Sequence, residues 1–196
     1  MDSILDLIPQ LMNSGATSQL SQQIGADEQT TQQGLAAAVP VLLAALSRNA
    51  SNPGGAEELY GALSRDHDGS LLDNPAMALG SGAAMQDGFG ILQHVLGGQQ
   101  GQVAQTLSRQ TGLDPATAGQ LLAAAAPLVL AWLGRSQRQQ GLDPGGLQGY
   151  LGGQYQQAEA ATPGLMGVAE QFLDSNRDGS MVDDITRLAG QFFGRR

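Results

Sequence analysis

The sequence predicts an all-α, multihelical fold made of two diverged copies of one unit, and three observations carry that reading. Ala, Leu, Gln and Met dominate, whereas β-branched residues are sparse and do not alternate with polar ones, which suits helices and gives strands little support. Two long apolar runs, Leu35 to Leu46 and Leu121 to Leu133, contain no charged residue. The residues around these runs recur at one fixed spacing, the mark of an internal repeat.

The repeat is traced residue by residue. Gly25 and Gly112, Asp27 and Asp114, Pro40 and Pro127, and Leu46 and Leu133 are each 87 positions apart. Upstream, Leu20-Ser21 matches Leu107-Ser108, and Ile4-Leu5 with Ile8 matches Ile91-Leu92 with Val95. Ala-rich helices resemble one another by composition, but composition does not fix the spacing of Gly, Asp and Pro. Downstream, Arg65 to Asn74 matches Ser175 to Asp184 at an offset of 110. The second copy therefore carries 23 extra residues, placed around the Gly/Gln-rich stretch 141–164. The expected organisation is a first repeat over 1–80, a Gly-rich linker over 81–90 and a second repeat over 91–196.

Within each copy the order expected is short helix, short helix, long Ala-rich helix, short helix, acidic loop, helix. Asp27 and Asp114 stand at N-cap positions, and Pro115 follows at the first helical position, where its missing N–H costs nothing. The long helices are expected over about 28–48 and 115–139. Pro40 and Pro127 fall inside them and predict a kink at the same relative place. Both segments are apolar on nearly every face, so they ask for burial on all sides and should cross near the centre. Arg48 and Arg135 are read as cations near helix C-termini.

The acidic loops are the candidate site. In a calcium loop of the D-x-[DN]-x-D-G type, oxygen ligands at positions 1, 3 and 5 converge, glycine at 6 makes the turn, and position 7 gives a carbonyl. With Gly179 at position 6, Asp174, Asn176 and Asp178 take 1, 3 and 5, Ser180 takes 7, and Asp183 and Asp184 follow at 10 and 11. Position 12, where an EF-hand has its bidentate Glu, is Ile185. With Gly69 at position 6, Ser64, Asp66 and Asp68 take 1, 3 and 5, Ser70 takes 7, and Asp73 and Asn74 follow. The second loop has more carboxylates and is expected to bind calcium, or magnesium in its place, more tightly than the first. The competing reading is an Asp-Gly turn in which Asp73 or Asp183 caps the next helix without an ion.

Other chemistry finds little footing. Cysteine is absent, which removes disulfides, thiolate zinc sites and thiol catalysis. Eighteen acidic residues against nine basic ones give a net charge of −9, which repels nucleic acid and anionic membranes. The opening residues, with Asp2 and Asp6, lack a basic leader segment, and both apolar runs fall short of roughly 18 residues and contain Pro. The expectation is a cytoplasmic protein with no membrane span. The two histidines, His67 and His94, form no ligand pair, and no hydrolase, metalloprotease or nucleotide-binding motif occurs.

One family likeness adds to this. The segment Asp66-His67-Asp68-Gly69-Ser70-Leu71-Leu72-Asp73, the stretch Gly88-Phe89-Gly90-Ile91-Leu92-Gln93-His94-Val95-Leu96-Gly97-Gly98, and the Ala-rich helix leading into Leu133-Gly134-Arg135 resemble the YidB-like bacterial family, which carries a domain of unknown function. That resemblance implies an all-helical fold and no established activity. The functional expectation is a non-enzymatic structural or interaction protein that self-associates into a homo-oligomer or filament, with cations ordering its loops. The alternatives are a calcium-dependent binder of a partner protein through a Met-rich face (Met77, Met85, Met166, Met181) and, remotely, an acidic-cluster hydrolase using Asp183 and Asp184.

Overall fold

The computed structural model describes residues 3–80 and 82–161. Among them the chain is helical throughout, with no strand. A 3-10 turn at Ile4–Asp6 leads into α1 (Leu7–Asn13), α2 (Ala16–Ile24), α3 (Glu28–Ser51) and α4 (Gly55–Arg65). A second 3-10 turn, Ser70–Asp73, precedes α5 (Pro75–Gly80) and α6 (Ala83–Leu96). After a third, Gly97–Gln99, come α7 (Gln100–Thr111), α8 (Pro115–Gln140) and α9 (Pro144–Ala161).

The starts of α3 and α8 are set in the same way. Gly25 and Gly112 close the preceding helices with φ of +71° and +77°, left-handed values that glycine adopts without penalty. Asp27 and Asp114 follow in extended conformation, and their carboxylates accept from the amides of Thr30 and Thr117 and from those threonines' hydroxyls. These bonds hold both carboxyls below the ordinary aspartate range, with the threonine hydroxyl as the main cause.

Helices α3 and α8 pack on each other in the core. In α3 the proline costs about 3 kcal/mol relative to a good helix former. Burial of Leu35, Val39, Val41, Leu42, Leu43 and Leu46 contributes about 1.5–3 kcal/mol each, so burial prevails and the helix runs through Pro40. The same holds at Pro127. At the start of the contact, a Cβ on Gly34 would press on Leu121, so glycine lets α3 approach α8.

The apolar windows of α3 and α8 are long and apolar enough, by length and composition, to cross a membrane, contrary to the count from the uninterrupted apolar runs. Neutral Gln, Thr and Ser at their ends lengthen each window without adding charge. Buried shares of 72% and 78% show that most of that surface faces other helices.

One stretch differs from expectation, and a second takes form where only extra residues were placed. Residues 83–90, read as part of a linker, are the first half of α6. Gly88 there faces Ala123 of α8, and any Cβ would overlap the Ala123 carbonyl oxygen; the glycine serves close helix packing. The Gly/Gln-rich stretch after α8 is largely α9, which buries Leu147, Leu151, Gln154, Tyr155 and Ala158 at helical spacing. Tyr150 stacks on Trp132 with ring centroids 5.8 Å apart. The buried Gln154 side-chain oxygen accepts from the Ile4 amide at 3.0 Å, tying α9 to the first turn of the chain.

Candidate functional site

The loop between α4 and α5 is seated on α8. Gly69 has a φ of +86°, and a Cβ on it would collide with the Arg135 side chain and crowd the Ala131 carbonyl. One turn away the fit is reciprocal: a Cβ on Gly134 would overlap the His67 carbonyl oxygen. Two glycines, one on each surface, thus bring backbone against backbone.

Charge at this junction comes from arginine. The Arg135 guanidinium donates through Nη2 to the Gly69 carbonyl at 2.6 Å and to Asp73 Oδ1 at 2.5 Å. Arg138 donates to the Asp68 carbonyl at 3.1 Å and to the Leu63 carbonyl at 3.4 Å. Arg135 stands more than a turn before the end of α8, so its partner is the loop and not the helix terminus. Its side chain is one-third exposed, whereas that of Asp73 is mostly exposed.

The candidate ligands of this loop have the following places. Asp68 Oδ1 accepts from the Ser70 amide at 2.9 Å and from the Ser70 hydroxyl, and these bonds, the hydroxyl first, lower its carboxyl from the ordinary value. Ser64 donates to the Tyr60 carbonyl and accepts from Gln137 Nε2 at 3.1 Å. Asp66 lies 3.8 Å from Arg65 Nε, both side chains exposed. Asp73 is held by Arg135. Among the described residues no three Asp, Glu or His side chains converge as a metal cluster would require. In this loop Arg135 holds the carboxylate of Asp73, one of the candidate cation ligands. The second loop's Asp174, Asn176, Asp178, Ser180, Asp183 and Asp184 lie outside the described residues.

A groove of about 750 Å³ opens beside the loop, between α4, α6 and the end of α3. Leu46, Leu59, Ile91, Val95 and Leu130 supply apolar lining, and Glu57, Glu58, Arg65 and both histidines add polar groups. His94 is exposed, with Nε2 4.0 Å from Glu58 Oε2. His67 is half-buried; burial lowers its pKa, and the charges of Asp66 and Asp87 oppose the shift only in part. Asn49 of α3 donates to the Val95 carbonyl at 3.1 Å and fastens the groove's inner wall. Sequence reasoning treated the histidines separately and missed that the fold brings both to one groove.

Comparison with known proteins gives one match. A family model described as a bacterial protein of unknown function (DUF937) matches residues 6–136, from the end of the first 3-10 turn to Ser136 of α8. No curated protein and no solved structure matches the chain. Two-thirds of the sequence lies within the match, including the arginine-held loop, and the chain belongs to this DUF937 family of bacterial proteins.

Proposed function

We propose that this is a non-enzymatic interaction protein that associates with copies of itself. The observation that carries the reading is apolar side-chain surface left open on neighbouring helices: Met77 of α5 is 69% exposed and Phe89 of α6 is 46% exposed. Exposed large apolar side chains on two helices that pack on each other are where a contact surface would form. The repeat read in the sequence would favour recurring contacts, closed as a dimer or open as a filament. Light scattering over a concentration series tests this. The expected result is a concentration-dependent rise in mass that Met77→Asp with Phe89→Asp suppresses. A strict monomer at every concentration refutes the reading.

Cation ordering of the second loop belongs to the same proposal, because Asp174, Asn176 and Asp178 keep the ligand spacing of calcium loops. Calorimetric titration with calcium should give heat that Asp178→Ala removes. No heat at millimolar calcium ends that part. The alternative, calcium-dependent capture of a partner protein, draws support from the exposure of Met77; a calcium-induced rise in hydrophobic-dye binding by a monomer would favour it.

A further inference from the structure

The groove between α4 and α6 has a floor that nothing among the described residues covers. Leu59, Ile91 and Val95 are only partly buried where they pack on the core, and Glu57 and Glu58 stand at the start of α4 on its rim. The groove's size falls within the roughly 300–1,000 Å³ typical of binding clefts, enough for a few bulky side chains. Arg65 and His94 also line the groove, with His94 4.0 Å from Glu58, so an occupant would be apolar against the floor and would set a basic end on Glu57 and Glu58.

The same chain contains such a segment. Residues 1–161 hold thirteen acidic side chains and five arginines, whereas residues 185–196 hold three arginines and no acid. In that stretch Ile185, Leu188, Ala189, Phe192 and Phe193 recur at the spacing of one helix face, with Arg195 and Arg196 beside the two rings. Between Ala161 and this segment lie 23 residues, a chain length that can bridge at most roughly 75–80 Å. Helix α9, which precedes those residues, packs on α4.

We infer that segment 185–196 of this chain docks in the groove, with Phe192 and Phe193 on the apolar floor and Arg195 and Arg196 against Glu57 and Glu58. Burial of two aromatic rings supplies the attraction, and the acidic rim sets the direction and the salt dependence. This inference is independent of calcium binding and of the Met77 and Phe89 surface. The competing destination for a basic amphipathic segment is an anionic membrane surface, which the net charge of −9 opposes.

The absence of cysteine gives a clean test on the full-length chain. Glu58→Cys with Arg195→Cys, mildly oxidised, should form a disulfide at least tenfold faster than Gln110→Cys with Arg195→Cys, because Gln110 is on α7 and does not line the groove. A linked monomer means docking within one molecule and a linked dimer means docking between two; either supports the proposal. Adding Phe192→Ser and Phe193→Ser should slow the Glu58 linkage at least fivefold. A second readout needs no cysteine: Ile91→Asp should speed tryptic cleavage after Arg187 several-fold relative to the unsubstituted chain. Equal rates for the two cysteine pairs, with cleavage after Arg187 unchanged by Ile91→Asp, overturn the proposal. So does co-sedimentation of the full-length protein with phosphatidylglycerol vesicles that the two phenylalanine substitutions abolish.

Discussion

Arg135 and Asp73, 62 residues apart in the chain, meet at 2.5 Å, and the same guanidinium nitrogen donates to the Gly69 carbonyl. The two bonds differ in weight. Asp73 is 71% exposed, so water and salt screen the ion pair to at most about 1 kcal/mol. The part-buried bond to the Gly69 carbonyl contributes about 1.5–3 kcal/mol, as a hydrogen bond from a charged donor. Urea denaturation should therefore find Arg135→Met destabilised by about 2–3 kcal/mol and Asp73→Asn by under about 1 kcal/mol. Equal losses for both would mean that the carboxylate, not the carbonyl, anchors the loop.

Two glycines of one helix should respond in opposite ways. Gly88 faces the Ala123 backbone, while a Cβ on Gly90 meets nothing within 4 Å. Gly88→Ala has to push α6 off α8 and should cost about 1–3 kcal/mol or more. Gly90→Ala removes backbone freedom from the unfolded chain and should gain about 0.5–1 kcal/mol. Thermal melting of the two variants side by side checks both signs.

The twin caps offer a third comparison. Asp27→Ala and Asp114→Ala should each lower the melting temperature, because an N-cap acceptor is lost. Both carboxyls have their pKa lowered on folding, so the caps contribute fully above the unfolded aspartate value near 4 and lose their effect as pH falls through the lower folded value. The gap between wild type and either variant should narrow in acid. A gap independent of pH down to 2 would contradict the capping account.

His67 gives stability a dependence nearer neutrality. Its pKa falls on folding because burial disfavours the imidazolium. The folded state thus keeps its advantage above the unfolded value of about 6.5 and loses it progressively as pH drops below that. Melting temperature should decline between pH 7 and 5, and His67→Gln should flatten that decline. An unchanged slope would point to other groups.

Much of the fold is legible in the sequence where one signal dominates. The Gly-x-Asp entries to α3 and α8 sit where expected, and burial carried both helices through their prolines. The expected ends, near 48 and 139, compare with Ser51 and Gln140. The misread linker has a plain cause: glycine breaks helices in isolation, yet Gly88 lies inside α6 because contact with Ala123 leaves no room for a side chain. In α9, where the sequence reading placed only extra residues, Leu147, Leu151 and Tyr155 form a buried stripe. At the site, local position suggested a dipole role for Arg135, whereas its partner is 62 residues away. Spacing reveals neighbours along the chain and says little about such distant pairs.

The bond from the Ile4 amide to Gln154 has a meaning for how this chain is made. Gln154 leaves the ribosome about 150 residues after Ile4, a delay on the order of ten seconds at translation speeds of about 5–20 residues per second. The opening turn must wait that long for its partner. Final closure of this helical body is therefore a late event of synthesis, accessible to nascent-chain stalling.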